Sequence, residues 1–178
     1  PSGYHILEVD SKDLSLRFKA AGEPADYQMR IVFDVAHHQL RPEGIRDYKA
    51  GQLLDGRMSQ DEVSAASILV NLFDGGPKSE VSYRIGDGKY QTMQRTLRKD
   101  PYILEQFERH RETRKTWVQA SLSTHIFSAD LDASLPPGIH TVTVQAKDEF
   151  GRLHHGHAIL EITAGFAGSE VGNRYPTQ

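Results

Sequence analysis

Leu14, Leu16 and Phe18 alternate with Ser15 and Arg17, a period of two that puts the apolar side chains on one face of an extended strand. Tyr4 to Val9 precedes them across Asp10-Ser11-Lys12-Asp13, whose short Asp and Ser side chains can bond nearby backbone groups in a turn, so the pattern predicts a hairpin. Met29, Ile31 and Phe33 share a parity and predict a third strand. From Asp34 to Ser64 the period dissolves into polar residues punctuated by Gly44, Gly51 and Gly56. Ser59 and Glu62 have the spacing of a capping box, and any helix there must be short because Ile68 to Phe73 already reads as a buried strand.

Downstream the period is again two. Val81, Tyr83 and Ile85 alternate with polar residues, and Gly86-Asp87-Gly88 suits a tight turn before Lys89 to Met93. Phe127, Ala129 and Leu131 form a further strand, then Pro136-Pro137-Gly138 turns the chain into Val142, Val144 and Ala146. Asp148-Glu149-Phe150-Gly151 leads into Leu153 to Ile162. One helix interrupts the strands. Asp100 is a good N-cap and Pro101 is pre-set for the first helical position. Ile103, Phe107 and Leu104 supply its apolar stripe, with Glu105, Arg109, Glu108, Arg111 and Glu112 expected on exposed faces.

These elements predict a mainly β chain: a hairpin unit over residues 1–34, a loop or connector over 35–65, and a sandwich of the immunoglobulin or fibronectin kind over 66–164. The helix falls near 101–114, inside the sandwich, and 165–178 is expected to be a flexible tail.

Composition narrows the function. In 178 residues, 21 basic side chains stand against 24 acidic ones with no block of like charge, a pattern that points away from nucleic acid and anionic membrane. Cysteine is absent, which removes disulfide and thiol chemistry. No apolar run approaches the roughly 18 residues that span a bilayer. The start Pro1-Ser2-Gly3, without methionine, suggests a piece of a longer polypeptide.

Candidate sites are few. His155 and His157 lie two apart in an expected strand, so their imidazoles share a face and can ligate one metal ion if a neighbouring strand adds a third ligand; the alternative is a solvated face opposite Leu160 and Ile162. His37 and His38, near Asp34, are a second pair in the polar loop. Trp117, Tyr102 and Tyr48 are candidate binding residues, because an exposed ring can stack on the apolar face of a sugar; a lone tryptophan in a sandwich can equally be core. No Gly-x-Ser-x-Gly elbow or oriented Ser–His pair appears, and Gly86-Asp87-Gly88 is too short and too acidic to cradle phosphate.

Several segments carry a family resemblance: Gly3-Tyr4-His5, the block Phe18 to Ile31 with Lys19-Ala-Ala-Gly-Glu-Pro-Ala-Asp26, Leu69 to Phe73, Tyr83 to Gly88, Asp100-Pro101-Tyr102, Thr124 to Phe127, and Leu135 to Gly151. Over roughly residues 3 to 163 the chain resembles the C-terminal accessory domain of bacterial, secreted calcineurin-like metallophosphoesterases. The resemblance implies a phosphoesterase domain in the same polypeptide as partner, two divalent metal ions held there, and a periplasmic or secreted location. The family's metal motifs, Asp-x-His, Gly-Asn-His-Asp and Gly-His-x-His, are not complete in this chain. Gly156-His157-Ala158-Ile159 comes nearest, with isoleucine in place of the second histidine. No catalytic residue and no cofactor of its own is therefore expected. The implied role is a non-catalytic module that packs against the catalytic domain or helps it position substrate. The alternatives are an independent glycan-binding or adhesion module and a self-sufficient metal hydrolase.

Overall fold

The computed structural model describes residues 3–35 and 56–164. Tyr48, His37, His38 and the tail lie outside the described residues. The strands are β1 (Gly3–Asp10), β2 (Asp13–Ala20), β3 (Met29–Val35), β4 (Arg57–Ser59), β5 (Ala66–Leu72), β6 (Glu80–Ile85), β7 (Gln91–Thr92), β8 (Gln94–Lys99), β9 (Leu122–Asp130), β10 (Gly138–Lys147) and β11 (Leu153–Thr163). A 3-10 helix (Gln60–Ala65) joins β4 to β5, and α1 (Pro101–Arg109) joins β8 to β9. The chain is mainly β.

Strands β1 and β2 pair only with each other; β3-β5-β9-β8 form one larger sheet and β4-β11-β10-β6-β7 the other. One apolar core lies between the two larger sheets. Met29, Phe33 and Val35 of β3, Ile68, Val70 and Leu72 of β5, and Phe127 of β9 meet Val81 and Tyr83 of β6, Val142, Val144 and Ala146 of β10, and Leu160 and Ile162 of β11. Each set follows the two-residue period, because alternate side chains of a strand face the same layer. On the far face of the first sheet Val32, Leu69 and Ile126 form a small second cluster. Tyr83 donates its hydroxyl to the Asp130 carbonyl at 3.3 Å; burial first, then the charges of Asp130 and Asp132, push that phenol up.

Four local expectations need correcting. Strand β3 was assigned to the hairpin unit, but it pairs along β5 from Met29↔Leu72 to Val35↔Ala66 and belongs to the sandwich. Its parity fits because Met29, Phe33 and Val35 are buried in the shared core. The connector's end is likewise part of the sandwich: Met58 and Val63 are core residues, and β4 runs parallel to β11. The capping box forms there, Glu62 accepting from the Ser59 amide at 2.8 Å and from its hydroxyl at 3.1 Å. Helix α1 ends at Arg109 rather than near 114, because His110 to Lys115 offers no apolar side chain to hold a further turn on the core. Glu105, expected in solvent, is 3% exposed.

The hairpin has the expected register, from Gly3↔Ala20 to Asp10↔Asp13, and its turn places Ser11 at φ 54°. Gly156 in β11 marks a close approach: a Cβ there would lie 2.8 Å from Met29 Sδ and 3.0 Å from Ile31 Cδ1 of β3, so those side chains would have to shift.

Candidate functional site

The most developed polar constellation sits where the hairpin base, the end of β5, the start of α1 and the start of β9 converge. Arg30 on β3 and Asn71 on β5 are register partners, so their side chains leave the same face of the sheet. Asp100, at the end of β8, caps α1 through its Oδ1, which accepts the Tyr102 amide at 3.0 Å. Its Oδ2 accepts from Asn71 Nδ2 at 2.6 Å, with Arg30 Nη1 at 3.6 Å. A carboxylate 5% exposed is tolerable because a cation and two donors surround it. The Arg30 guanidinium in turn lies 3.6 Å from the centroid of the Tyr102 ring, within range of a cation–π contact.

Beside this network opens a groove of about 410 Å³. Phe18, Phe73, Ile103 and Leu122 give it apolar walls, and Asn71, Asp74, Asp100, Ser123, Thr124 and His125 give polar ones. His125 Nδ1 lies 2.5 Å from the Gly75 carbonyl. Asp74 pairs with His5 Nε2 of β1 at 2.7 Å. His5, Phe18, Phe73 and Tyr27 form a chain of edge-on rings at centroid distances of 5.6, 5.6 and 5.3 Å, which ties the hairpin base to the sandwich. Chemically the groove suits a neutral or cationic group with apolar faces. Two carboxylates on its wall oppose a phosphate.

The other candidates are dispersed. Tyr102 is half-buried beneath Arg30 and does not line the groove. Trp117 is 73% exposed in the connection after α1, its ring 5.1 Å from Lys115 Nζ, and it too lies apart from the groove. The expectation that this tryptophan could be core does not hold. His155 and His157 project from the outer face of β11 and border a separate hollow of about 280 Å³ with Asp26. Among the described residues no group of three or more His, Cys, Asp or Glu side chains is placed to hold a metal ion. Among them, too, no helix is long and apolar enough to cross a membrane.

The family of C-terminal domains of calcineurin-like phosphoesterases matches residues 1–154. The chain belongs to that family. No curated protein matches it. The calcineurin-like phosphoesterase C-terminal match takes in the hairpin and the sandwich as far as the start of β11, so the groove between them lies inside the family's span. The sequence reading missed Arg30 and Asn71 as members of one network. Arg30 falls in the family segment Phe18 to Ile31 and Asn71 in Leu69 to Phe73, and the signal that could have joined them is their register, which is fixed only once β3 and β5 pair.

Proposed function

We propose that this chain is a non-catalytic, immunoglobulin-like accessory module that packs against, or helps position substrate for, the metal-dependent phosphoesterase domain of its own polypeptide. The family match over residues 1–154 carries this reading. The strand orders β3-β5-β9-β8 and β11-β10-β6-β7 support the immunoglobulin comparison, since they follow the A-B-E-D and G-F-C-C′ orders of such sandwiches; an experimental structure with another strand order would remove it. Export to the periplasm or the medium belongs to the same proposal, and fractionation that finds the parent protein only in the cytoplasm overturns that part. The central test compares the parent polypeptide with and without this segment. Loss of thermal stability or of phosphoesterase turnover supports the role, whereas unchanged values for both exclude it.

A second reading, glycan binding, is favoured by the exposure of Trp117. Binding on a glycan array that disappears in Trp117→Ala, with folding intact, would support it; no binding by the unsubstituted chain would end it.

A further inference from the structure

The hairpin is amphipathic, and its apolar face is largely uncovered. Directly opposed residues His5↔Phe18, Leu7↔Leu16 and Val9↔Leu14 share one face, while Glu8↔Ser15, Ile6↔Arg17 and Asp10↔Asp13 share the other. The base of the apolar face is occupied, with Phe18 packed edge-on against Phe73. The outer part is bare: Leu7 is 57%, Val9 67% and Leu14 58% exposed. A two-stranded ribbon is marginal alone in water, and one that keeps three aliphatic side chains together on a single face has lost part of the burial such a pattern normally gains.

We propose that this face, Leu7, Val9 and Leu14 with the half-buried Leu16, is the surface on which the phosphoesterase domain of the same polypeptide docks. The inference rests on the function proposed above and names the contact that reading leaves open. Two considerations select this occupant over a second copy of the chain. A family of C-terminal domains has its catalytic domain on the upstream side, and β1 is the described element nearest to that side along the chain. A domain tethered next to the ribbon meets it at an effective concentration of about millimolar, so a small apolar contact suffices. Two free copies would have to associate through a patch on the order of a few hundred Å², whereas stable interfaces bury about 1,200–2,000 Å². On the opposite face the outer end carries the exposed carboxylates Glu8, Asp10 and Asp13, which favours docking through the apolar side.

The test is amide hydrogen exchange in the parent polypeptide and in this chain alone. The expected result is about tenfold slower exchange of residues 7–16 in the parent. In the parent, Val9→Lys with Leu14→Lys should return exchange to the rate in this chain while the β5 and β10 amides keep their protection. The milder Leu14→Ala should give an intermediate rate and serves if the double variant misfolds. Equal exchange in parent and isolated chain overturns the inference. So does protection that appears in this chain alone as its concentration rises, since that identifies a second copy as the occupant. If deleting the whole segment destabilises the parent but the ribbon is unprotected there, only this docking face fails; if the deletion has no effect, the accessory role itself fails.

Discussion

The sandwich and the hairpin are written in the same code and end in opposite conditions. In both, every second residue of a strand faces the same way and most of that set is apolar. In β5 and β10 the apolar set of one strand meets that of another sheet and becomes core, as Ile68, Val70, Val142 and Val144 do. In β1 and β2 the same alternation gives an apolar face whose outer half is left mostly exposed among the described residues. Period two therefore specifies a strand with two unlike faces, and tertiary context decides whether the apolar one is buried. The hairpin is held at its base by side chains reaching across to its backbone: Gln28 Nε2 donates to the Phe18 carbonyl at 2.8 Å, and Arg152 donates to the Leu16 carbonyl.

The sharpest way to break the sandwich is to truncate a large side chain that both sheets share. Phe127 is 2% exposed between the sheets, and Phe127→Ala should cost about 4 kcal/mol of unfolding free energy through lost burial and the cavity left behind. Urea denaturation measures it. A loss under 1 kcal/mol would mean that the two sheets do not share this core.

The next largest effect tests the polar network that joins the sandwich to the groove. Asp100→Ala removes the cap of α1, leaves Asn71 without its acceptor and takes away the carboxylate that faces Arg30 at 3.6 Å. Removing one partner of a buried charge pair, the hydrogen bond from Asn71 and a helix cap together should cost about 3 kcal/mol. Asp100→Asn should recover part of that, because the amide oxygen can still accept. If both variants match the unsubstituted chain in denaturation, the network is ornamental to stability.

How much of this was legible depends on where each element gets its stability. Strands β6 and β10 were readable because their alternation is itself the cause of their burial, and β5 because Ile68 to Phe73 is a nearly continuous apolar run. Strand β8 escaped: Gln94-Arg-Thr-Leu-Arg-Lys carries one large apolar residue, Leu97, and that is exposed. This edge strand is held by its ladder to β9, with a register shift between Thr96 and Arg98, and backbone pairing leaves no hydrophobic signature. Strand β4 is three residues long with a single core side chain, Met58, too short for any period. The Asp100 cap was visible because capping is local. Its convergence with Arg30 and Asn71 was not, since it depends on which strands pair. Glu105 was misread for a related reason: helical charge spacing says which residues are neighbours, not which side the sheet covers. The family was legible through segments spread across both regions, so it does not depend on where the boundary at β3 falls.

A smaller effect should separate the regions. Arg152 donates Nε to Asp148 Oδ2 at 2.6 Å and reaches the Leu16 carbonyl on β2, so it links the β10–β11 turn to the hairpin. Arg152→Ala is expected to speed amide exchange in β2 severalfold while lowering global stability by about 1 kcal/mol. Equal acceleration in β2 and in the sandwich would show that the hairpin does not move independently.

Acidification should loosen the same tether without mutation. Burial acts to raise the Asp148 carboxyl, but hydrogen bonds from the Arg152 amide, from His154 and from the Arg152 side chain outweigh it and hold the group below its ordinary value of 3.8. A carboxylate whose folded value is depressed contributes stability that is fully present above 3.8, the unfolded value, and is lost as the pH falls through the folded one. Exchange in β2, corrected for its intrinsic pH dependence, should therefore stay level down to about pH 4 and rise below it. Asp148→Asn should flatten that rise, because the side chain no longer titrates. His5, paired with Asp74 at the hairpin base, acts on the same ribbon, so the comparison is made in a His5→Gln background. An acid response that survives Asp148→Asn there would assign the loosening to the hairpin's own carboxylates, Glu8, Asp10 and Asp13, and would remove the Asp148–Arg152 pair as the pH-dependent link between the two regions.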